Sequence, residues 1–310
     1  MVQPDGLRPA RLTVGIVSAG RVGTALGVAL ERAEHVVVSC SAISRRSRER
    51  AERRLPDTRV LPVPDVAANV ELLILAVPDV ELASLVAGLA ATGAVRPGTI
   101  VVHTSGANGI GVLAPLAALG CIPLAIHPAM TFTGSDEDVI RLSGACFGIT
   151  AADEVGSAVA QSLVLEIGGE PFGVREEDRA LYHAALAHGG NHLTTVLLDA
   201  VEALRSALRG QELLGQEAVG DAPGGIAERV IGPLARASLE NALQRGQAAL
   251  TGPVARGDAA MVTAHLRALE SVDSALAQAY RADSLRTAQR AHAPVEVFTA
   301  LTGPTEGERP

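Results

Sequence analysis

The sequence predicts an α/β protein: a doubly wound, mostly parallel Rossmann sheet followed by an all-helical domain. Three observations carry this. Residues 12–24, LTVGIVSAGRVGT, read as a buried strand, a glycine turn and the start of a helix. Strand-like and helix-like segments then alternate as far as Val174, as repeated βα units do. From Glu176 onward the periodicity is helical, with almost no strand signal.

Leu12–Val17 is the first strand, and the apolar run Val22–Leu30 the helix that follows it. Gly20 and Gly23 stand at the second and third glycine positions of G-x-G-x-x-G. The first position is Ser18, so the turn is expected to avoid strongly positive φ there. Free N–H groups and the dipole of a helix N-terminus suit a pyrophosphate. Ser18, Ala19, Gly20, Arg21, Val22 and Gly23 are therefore the expected cradle of a dinucleotide.

The second strand, His35–Ile43, ends without the acid that would bind a ribose 2′-hydroxyl. Ser44, Arg45, Arg46 and Ser47 follow instead, and guanidiniums with hydroxyls suit a 2′-phosphate. The expected cofactor is NADP(H). Arg59–Leu61 and Asp65–Asn69 are short segments, and Leu72–Val77 is a buried strand. Val77 and Pro78, at its end, should line the cofactor. Further strands are expected at Thr99–His103, Ile122–Ile126, Ala145–Ile149 and Glu170–Val174. Helices are expected at Val80–Ala91, Gly109–Leu119 and Asp153–Ile167.

The domain boundary is placed at residue 173, giving a dinucleotide-binding domain over 1–173 and a helical domain over 174–310. Glu177–Leu208 reads as one long helix, followed by a polar break at Gly215–Gly225. Helices over Ile226–Leu250 and Asp258–Arg281 flank a turn at Leu250–Asp258, with Asp258 a fitting N-cap. The tail, Thr302–Pro310, has the composition of a disordered end.

Composition limits the function. A net charge of −8 and an aromatic content of 2% argue against a nucleic-acid partner. The absence of a secretory leader pattern and of a membrane-spanning apolar run predicts a cytoplasmic protein without a membrane partner. Cys40, Cys121 and Cys146 sit in apolar contexts and read as buried thiols. The chain contains no lysine, which excludes a lysine acid, base or Schiff base.

Histidine or a carboxylate must then move any proton, and the reactive groups should lie at the carboxyl ends of the strands. His127, after the sixth strand, is the expected proton donor to a developing alkoxide, titrating near neutrality. Ser105, after the fifth, is its expected orienting partner, while His103 precedes the turn and points into the sheet. His183 and Asn191 project about 80° apart on one helix and could face one substrate cleft. Gly189 and Gly190 within that helix suggest close approach of a ligand or backbone. His188 and His192 have a metal-ligand spacing but no third ligand, so no metal site is assigned. Arg256 is the best arginine for a substrate carboxylate.

The segments IVSAGRVGTAL, LAVPD, HTSGA, HPAMTF, YHAALAHGGNHL and LTGPVARGD span nearly the whole chain. Together they resemble a family with a Rossmann-like N-terminal half and a helical C-terminal domain of unknown function. That family is similar to deazaflavin-dependent NADP oxidoreductases, pyrroline-carboxylate reductases and prephenate dehydrogenases. The last likeness implies that His127 bonds the reacting hydroxyl and that Ser105 supports it. The resemblance also implies ketopantoate (2-dehydropantoate) reduction, as in pantothenate biosynthesis, and a homodimer formed through the helical domain. Two other functions stay open: a non-catalytic NADP(H)-binding sensor, and hydride exchange with a deazaflavin over Pro78, Met130 and Phe132.

Overall fold

The computed structural model describes residues 11–209, 212–213, 216–217 and 225–302. Its contacts divide it into two compact units, 1–190 and 191–310. The expected boundary at residue 173 coincides with the end of the sheet; the first unit continues through one more helix.

The sheet has eight strands. They are β1 (Thr13–Val17), β2 (Val36–Cys40), β3 (Arg59–Val60), β4 (Leu72–Leu75), β5 (Ile100–His103), β6 (Ile122–Pro128), β7 (Cys146–Ala151) and β8 (Glu170–Gly173). Their order is β3-β2-β1-β4-β5-β6-β7-β8, and every pairing but β6–β7 is parallel. The order in which strands are added reverses between β1 and β4, where α/β sheets open a ligand crevice. The helices of this unit are α1 (Arg21–Arg32), α2 (Arg45–Arg54), α3 (Val63–Ala67), α4 (Asp79–Thr92), α5 (Ala114–Ala117), α6 (Glu137–Leu142), α7 (Glu154–Glu166) and α8 (Arg179–Ala187).

Both faces of the sheet are buried, so β4 is apolar at every position. Leu72 and Ile74 join a core with α1 and α7, while Leu73 and Leu75 join one with α3 and α4. The two-residue side-chain period thus splits one strand between two cores. Small residues let α1 approach closely: a Cβ at Gly27 would lie 2.7 Å from Cδ1 of Ile16. Phe147 is the one aromatic ring in the fully buried core, and Ala, Val and Leu supply most of the remainder.

The antiparallel β6–β7 pair lengthens β6 beyond the expected end at Ile126. The parallel ladder with β5 stops at Ala125, opposite His103. The ladder with β7 continues, pairing His127 with Gly148 and Pro128 with Phe147. His127 therefore sits inside a strand, with its backbone fixed by sheet pairing.

Other local expectations change. Cys146 is exposed, because it opens β7 at the rim of the sheet; Cys40 and Cys121 are buried. Burial pushes the Cys40 thiol up to about 11. The segment expected as one helix over Gly109–Leu119 is a 3₁₀ turn, Ile110–Leu113, running into α5. The long helix from Glu177 is broken by a π turn at His188–His192, which carries Gly189 and Gly190. A Cβ on either glycine would meet nothing within 4 Å among the described residues.

The second unit is helical apart from a ribbon of β9 (Glu212–Leu213) and β10 (Gln216–Glu217). Its helices are α9 (Leu193–Ala207), α10 (Ile226–Arg245), α11 (Gly252–Arg256), α12 (Ala259–Glu270), α13 (Ser274–Ala291) and α14 (Val295–Thr302). Asp258 caps α12, accepting from the Met261 N–H at 3.0 Å. Asp273 caps α13 in the same way through Ala275, which divides the helix expected over Asp258–Arg281. The expected turn at Leu250–Asp258 contains α11, closed by Gly257 at φ +81°. Most of the polar break at Gly215–Gly225 and the tail beyond Thr302 lie outside the described residues. Among the described residues, no helix is long and apolar enough to cross a membrane.

Candidate active site

The glycine turn departs from its expected shape at Ser18, which adopts φ +78°. A left-handed serine costs about 1–2 kcal/mol, so neighbours must hold it. The Ser18 N–H donates to Oγ of Ser41 at 2.8 Å, and the Ala19 N–H to the Ser41 carbonyl at 2.7 Å. The end of β2 thereby pins the turn. The Ser18 carbonyl points into α1, where a Cβ at Gly23 would lie 2.2 Å from it. Only glycine fits at Gly23.

α1 begins on Gly20 without a side-chain cap and without an acid in its first turn. Its N–H groups and positive dipole end are open to an anion. They face a cleft of about 1080 Å³, lined by residues of the turn and also by Val77, Thr133, Ser44, Ser47, Arg46 and Arg50. A dinucleotide fits these residues: a helix N-terminus without a cap lies along one part of the wall, guanidiniums and hydroxyls along another.

The arginines divide unexpectedly. Arg45 pairs with Glu49 at 2.7 Å, its side chain is 92% exposed, and it does not line the cleft. Arg46 and Arg50 do. α2 turns Arg45 outward because only one side of a helix can face the cleft. Burial and the charges of Arg21, Arg46, Arg53 and Arg54 lower the Arg50 pKa, a crowding that an anion would relieve. Arg21 lines the cleft and also donates to the Phe132 carbonyl at 3.0 Å, holding the loop after β6. Asp138, fully buried, fastens the same loop by accepting from the Thr133 and Gly134 N–H groups. Ser47, read with Ser44 as a phosphate ligand, does line the cleft; Ser41, Arg50 and Thr133 were not expected there, and Arg50, one helical turn after Arg46, carried a readable signal.

One strand beyond the cleft's Val77 wall stand the histidines. His103, fully buried, accepts the Ser105 N–H at Nδ1 and meets the Gly109 carbonyl through Nε2 at 2.8 Å. Because a carbonyl only accepts, the His103 proton is on Nε2. Burial is the main cause that holds its pKa at about 4. Glu176 reinforces this loop, accepting from the N–H groups of Ile110 and Gly111 at 2.7 and 2.9 Å.

Contrary to expectation, His127 is not bonded to Ser105. Oγ of Ser105 accepts from the backbone and side chain of Asn108, at 3.1 and 2.9 Å. The group on Nδ1 of His127 is the Tyr182 hydroxyl, at 2.8 Å. Nor does His127 titrate near neutrality: burial first, then the nearby His183 and Arg179, push it down to about 4. His183 stands edge-on to it, with ring centroids 6.2 Å apart. Gly106 packs between them, since a Cβ there would lie 2.7 Å from His183 Cδ2 and 3.0 Å from His127 Nε2. Asp79, at the start of α4 beside Val77 and Pro78, is close enough to raise the pKa of both His103 and His127.

The sequence missed Arg179 and the role of Tyr182. The available signal was their spacing: Arg179, Tyr182 and His183 are i, i+3 and i+4 on α8, hence on one face. The two remaining substrate candidates, Asn191 and Arg256, belong to the second unit. Arg256 ends α11. No cluster of metal ligands occurs among the described residues.

Residues 1–128 match the Rossmann-like domain family, and residues 145–287 match a domain of unknown function, DUF2520. The chain thus joins a Rossmann-like N-terminal domain to a DUF2520 domain. None of the curated proteins matches it. Its fold is similar to that of a candidate NADP oxidoreductase of Bacteroides fragilis, with TM-score 0.71, 19% identity, and coverage of 90% of this chain and 98% of that one. A protein of Thermotoga maritima gives 0.61 and 20%, covering 90% and 98%. Plasmodium falciparum pyrroline carboxylate reductase with NADP bound gives 0.53 and 11%, covering 92% and 100%. At these identities the likeness is one of fold alone.

The two depressed histidines set an acid limit. Unfolded, each titrates near 6.5; folded, near 4. The unfolded chain takes up these protons first on acidification. Their contribution to stability is full above about pH 6.5 and is lost as pH falls toward about 4. Urea unfolding across that window should show stability falling with pH, with a shallower fall in His103→Gln. A stability independent of pH there would contradict neutral, buried histidines.

Proposed function

We propose that this chain, a Rossmann-like domain joined to a DUF2520 domain, is an NADP(H)-dependent reductase of a small oxo acid or related carbonyl compound. The observation that carries it is the cleft, where the N-terminus of α1 without a cap shares a wall with Arg46, Arg50, Ser44 and Ser47. The helix end suits a pyrophosphate, and the arginines with their serines suit a 2′-phosphate. Bound there, the reduced nicotinamide would supply a hydride to a carbonyl carbon. His127 meets the complementary need, a proton for the developing alkoxide. In this reading Tyr182 donates to Nδ1, so His127 carries its proton on Nε2, the side of Gly106 and His183. The donor is then the neutral imidazole, in keeping with its low pKa. Gly106 and His183 shape the space beside Nε2, and the absence of lysine leaves histidine as the proton carrier.

Calorimetric titration should show NADPH bound in preference to NADH. Changing Arg46 and Arg50 together to Ala should weaken NADPH on the order of 100-fold, as two charged hydrogen-bonding groups lost from one phosphate would. NADH affinity should hold, and Arg45→Ala should alter neither. A wild-type protein that binds neither dinucleotide would end this reading.

His127→Ala should cut NADPH oxidation by a panel of 2-oxo acids, 2-dehydropantoate first, by about 10²- to 10⁴-fold. Cofactor affinity should persist. Undiminished turnover in that variant would remove His127 from the chemistry.

The same reading includes a homodimer formed through the second unit. Among the described residues α9 buries none and α10 only Ala227. Val196 and Leu198 on α9, and Leu234 and Leu243 on α10, are exposed. Apolar surface left uncovered on long helices marks an interface. Sedimentation should give a dimer for the wild type and a folded monomer for Leu234→Glu with Leu243→Glu; a monomeric wild type refutes it.

A further inference from the structure

His127 and Tyr182 form more than an isolated contact. Their rings meet edge to face with centroids 5.6 Å apart, and the hydroxyl faces Nδ1 at 2.8 Å. Arg179 stands over the phenol, its guanidinium carbon 5.7 Å from the ring centroid. That guanidinium is 1% exposed. Its hydrogen bonds run to neutral oxygens only, those of Thr150, Ala125 and Gly148, and its Nη1 has no partner. Glu176 acts on this cation through space, but no carboxylate bonds it, and a buried cation so placed favours negative charge on a neighbouring ionisable group. Tyr182 is such a group, and its hydroxyl already faces the imidazole.

We propose that Tyr182 is the proton reservoir behind His127, and that Arg179 stabilises the charge left on its oxygen. This rests on the reductase reading, with His127 protonating the alkoxide. As the carbonyl carbon receives the hydride, the π pair moves to oxygen, which takes the proton from Nε2 of His127. The N–H bonding pair stays on the ring, and Nδ1 takes the Tyr182 proton. The O–H pair remains on Tyr182 as a phenolate facing Arg179, until water delivers a proton to Nε2 and Nδ1 returns its own to the phenolate, which resets the pair. The imidazole begins and ends neutral, having exchanged one tautomer for the other.

Such a relay accounts for a proton donor whose own pKa is far below neutrality. Burial and His183 hold His127 at about 4, so it carries no spare proton at neutral pH. Burial raises the Tyr182 pKa, which keeps the resting phenol protonated; Arg179 acts against that rise, Cys146 with it. Asp79 and His103 are the other charged or titratable neighbours that act on His127. Tyr182 acts through His127 and is a positioning residue.

The decisive measurement is nitrogen NMR of the histidine side chains in the cofactor-free protein, wild type and Tyr182→Phe. In the wild type, His127 should be one neutral tautomer with the proton on Nε2 between about pH 5 and 8. In Tyr182→Phe, which keeps the ring, the tautomers should mix. A wild-type proton on Nδ1 would make the tyrosine an acceptor and overturn the relay, whatever the fate of the variant. With NADPH and the 2-oxo acid panel, Tyr182→Phe should slow turnover about 10-fold or more and alter its pH profile. Full activity in Tyr182→Phe beside a crippled His127→Ala defeats the relay and leaves the reductase reading standing. Full activity in both defeats that reading itself.

Discussion

The buried guanidinium of Arg179 fixes the geometry of the candidate active site. It reaches from α8 to the Ala125 carbonyl of β6, and to the Gly148 carbonyl and Thr150 hydroxyl of β7. Desolvating a cation costs several kcal/mol. Here the charge is offset by oriented oxygens, by the face of the Tyr182 ring and, without direct contact, by the Glu176 carboxylate. This anchor clamps α8 across the antiparallel pair and places Tyr182 and His183 against His127. The antiparallel ladder matters equally, because it supplies both carbonyls on adjacent strands and carries β6 on to His127. One residue thus couples sheet topology to side-chain chemistry.

The nucleotide side of the sheet rests on a different constraint, the path of the Ser18 turn. Its left-handed backbone is held by Ser41, which binds two successive N–H groups. In return the Ser18 carbonyl occupies the space where any side chain at Gly23 would project. The helix start left open by this turn has no cap of its own. Strain, close packing and anion affinity are therefore one arrangement. The loop after β6 closes on the same turn through Arg21, and buried Asp138 holds the loop's own N–H groups.

Much of this architecture is readable along the chain. The apolar strands, the glycine turn and the shift to helical periodicity fall where local physics puts them, because burial on both faces demands a continuous apolar run. Caps such as Asp258 are equally local. Boundaries within the long helices were harder. The π turn at His188–His192 and the break before Asp273 interrupt a periodicity that otherwise reads as continuous. Ser18 also went against expectation, because the support for its φ comes from a residue 23 positions away.

Residue types at strand ends made His127 and the arginine cluster visible from the sequence alone. Their partners were not. Arg45 and Arg46 are chemically equivalent in a string of letters, and only the direction of α2 separates the exposed one from the one lining the cleft. Ser105 was the partner expected for His127, and Tyr182 was not. The turn at Asn108 engages the serine, whereas α8 brings the tyrosine across 55 positions. The sequence by itself determined the fold class, the glycine turn that opens α1 and the exclusion of lysine from any proton transfer, since these follow from local pattern and composition. Tertiary structure decided which side chains meet and which protons they hold, because hydrogen-bond partners and desolvation are set by groups far apart in the chain.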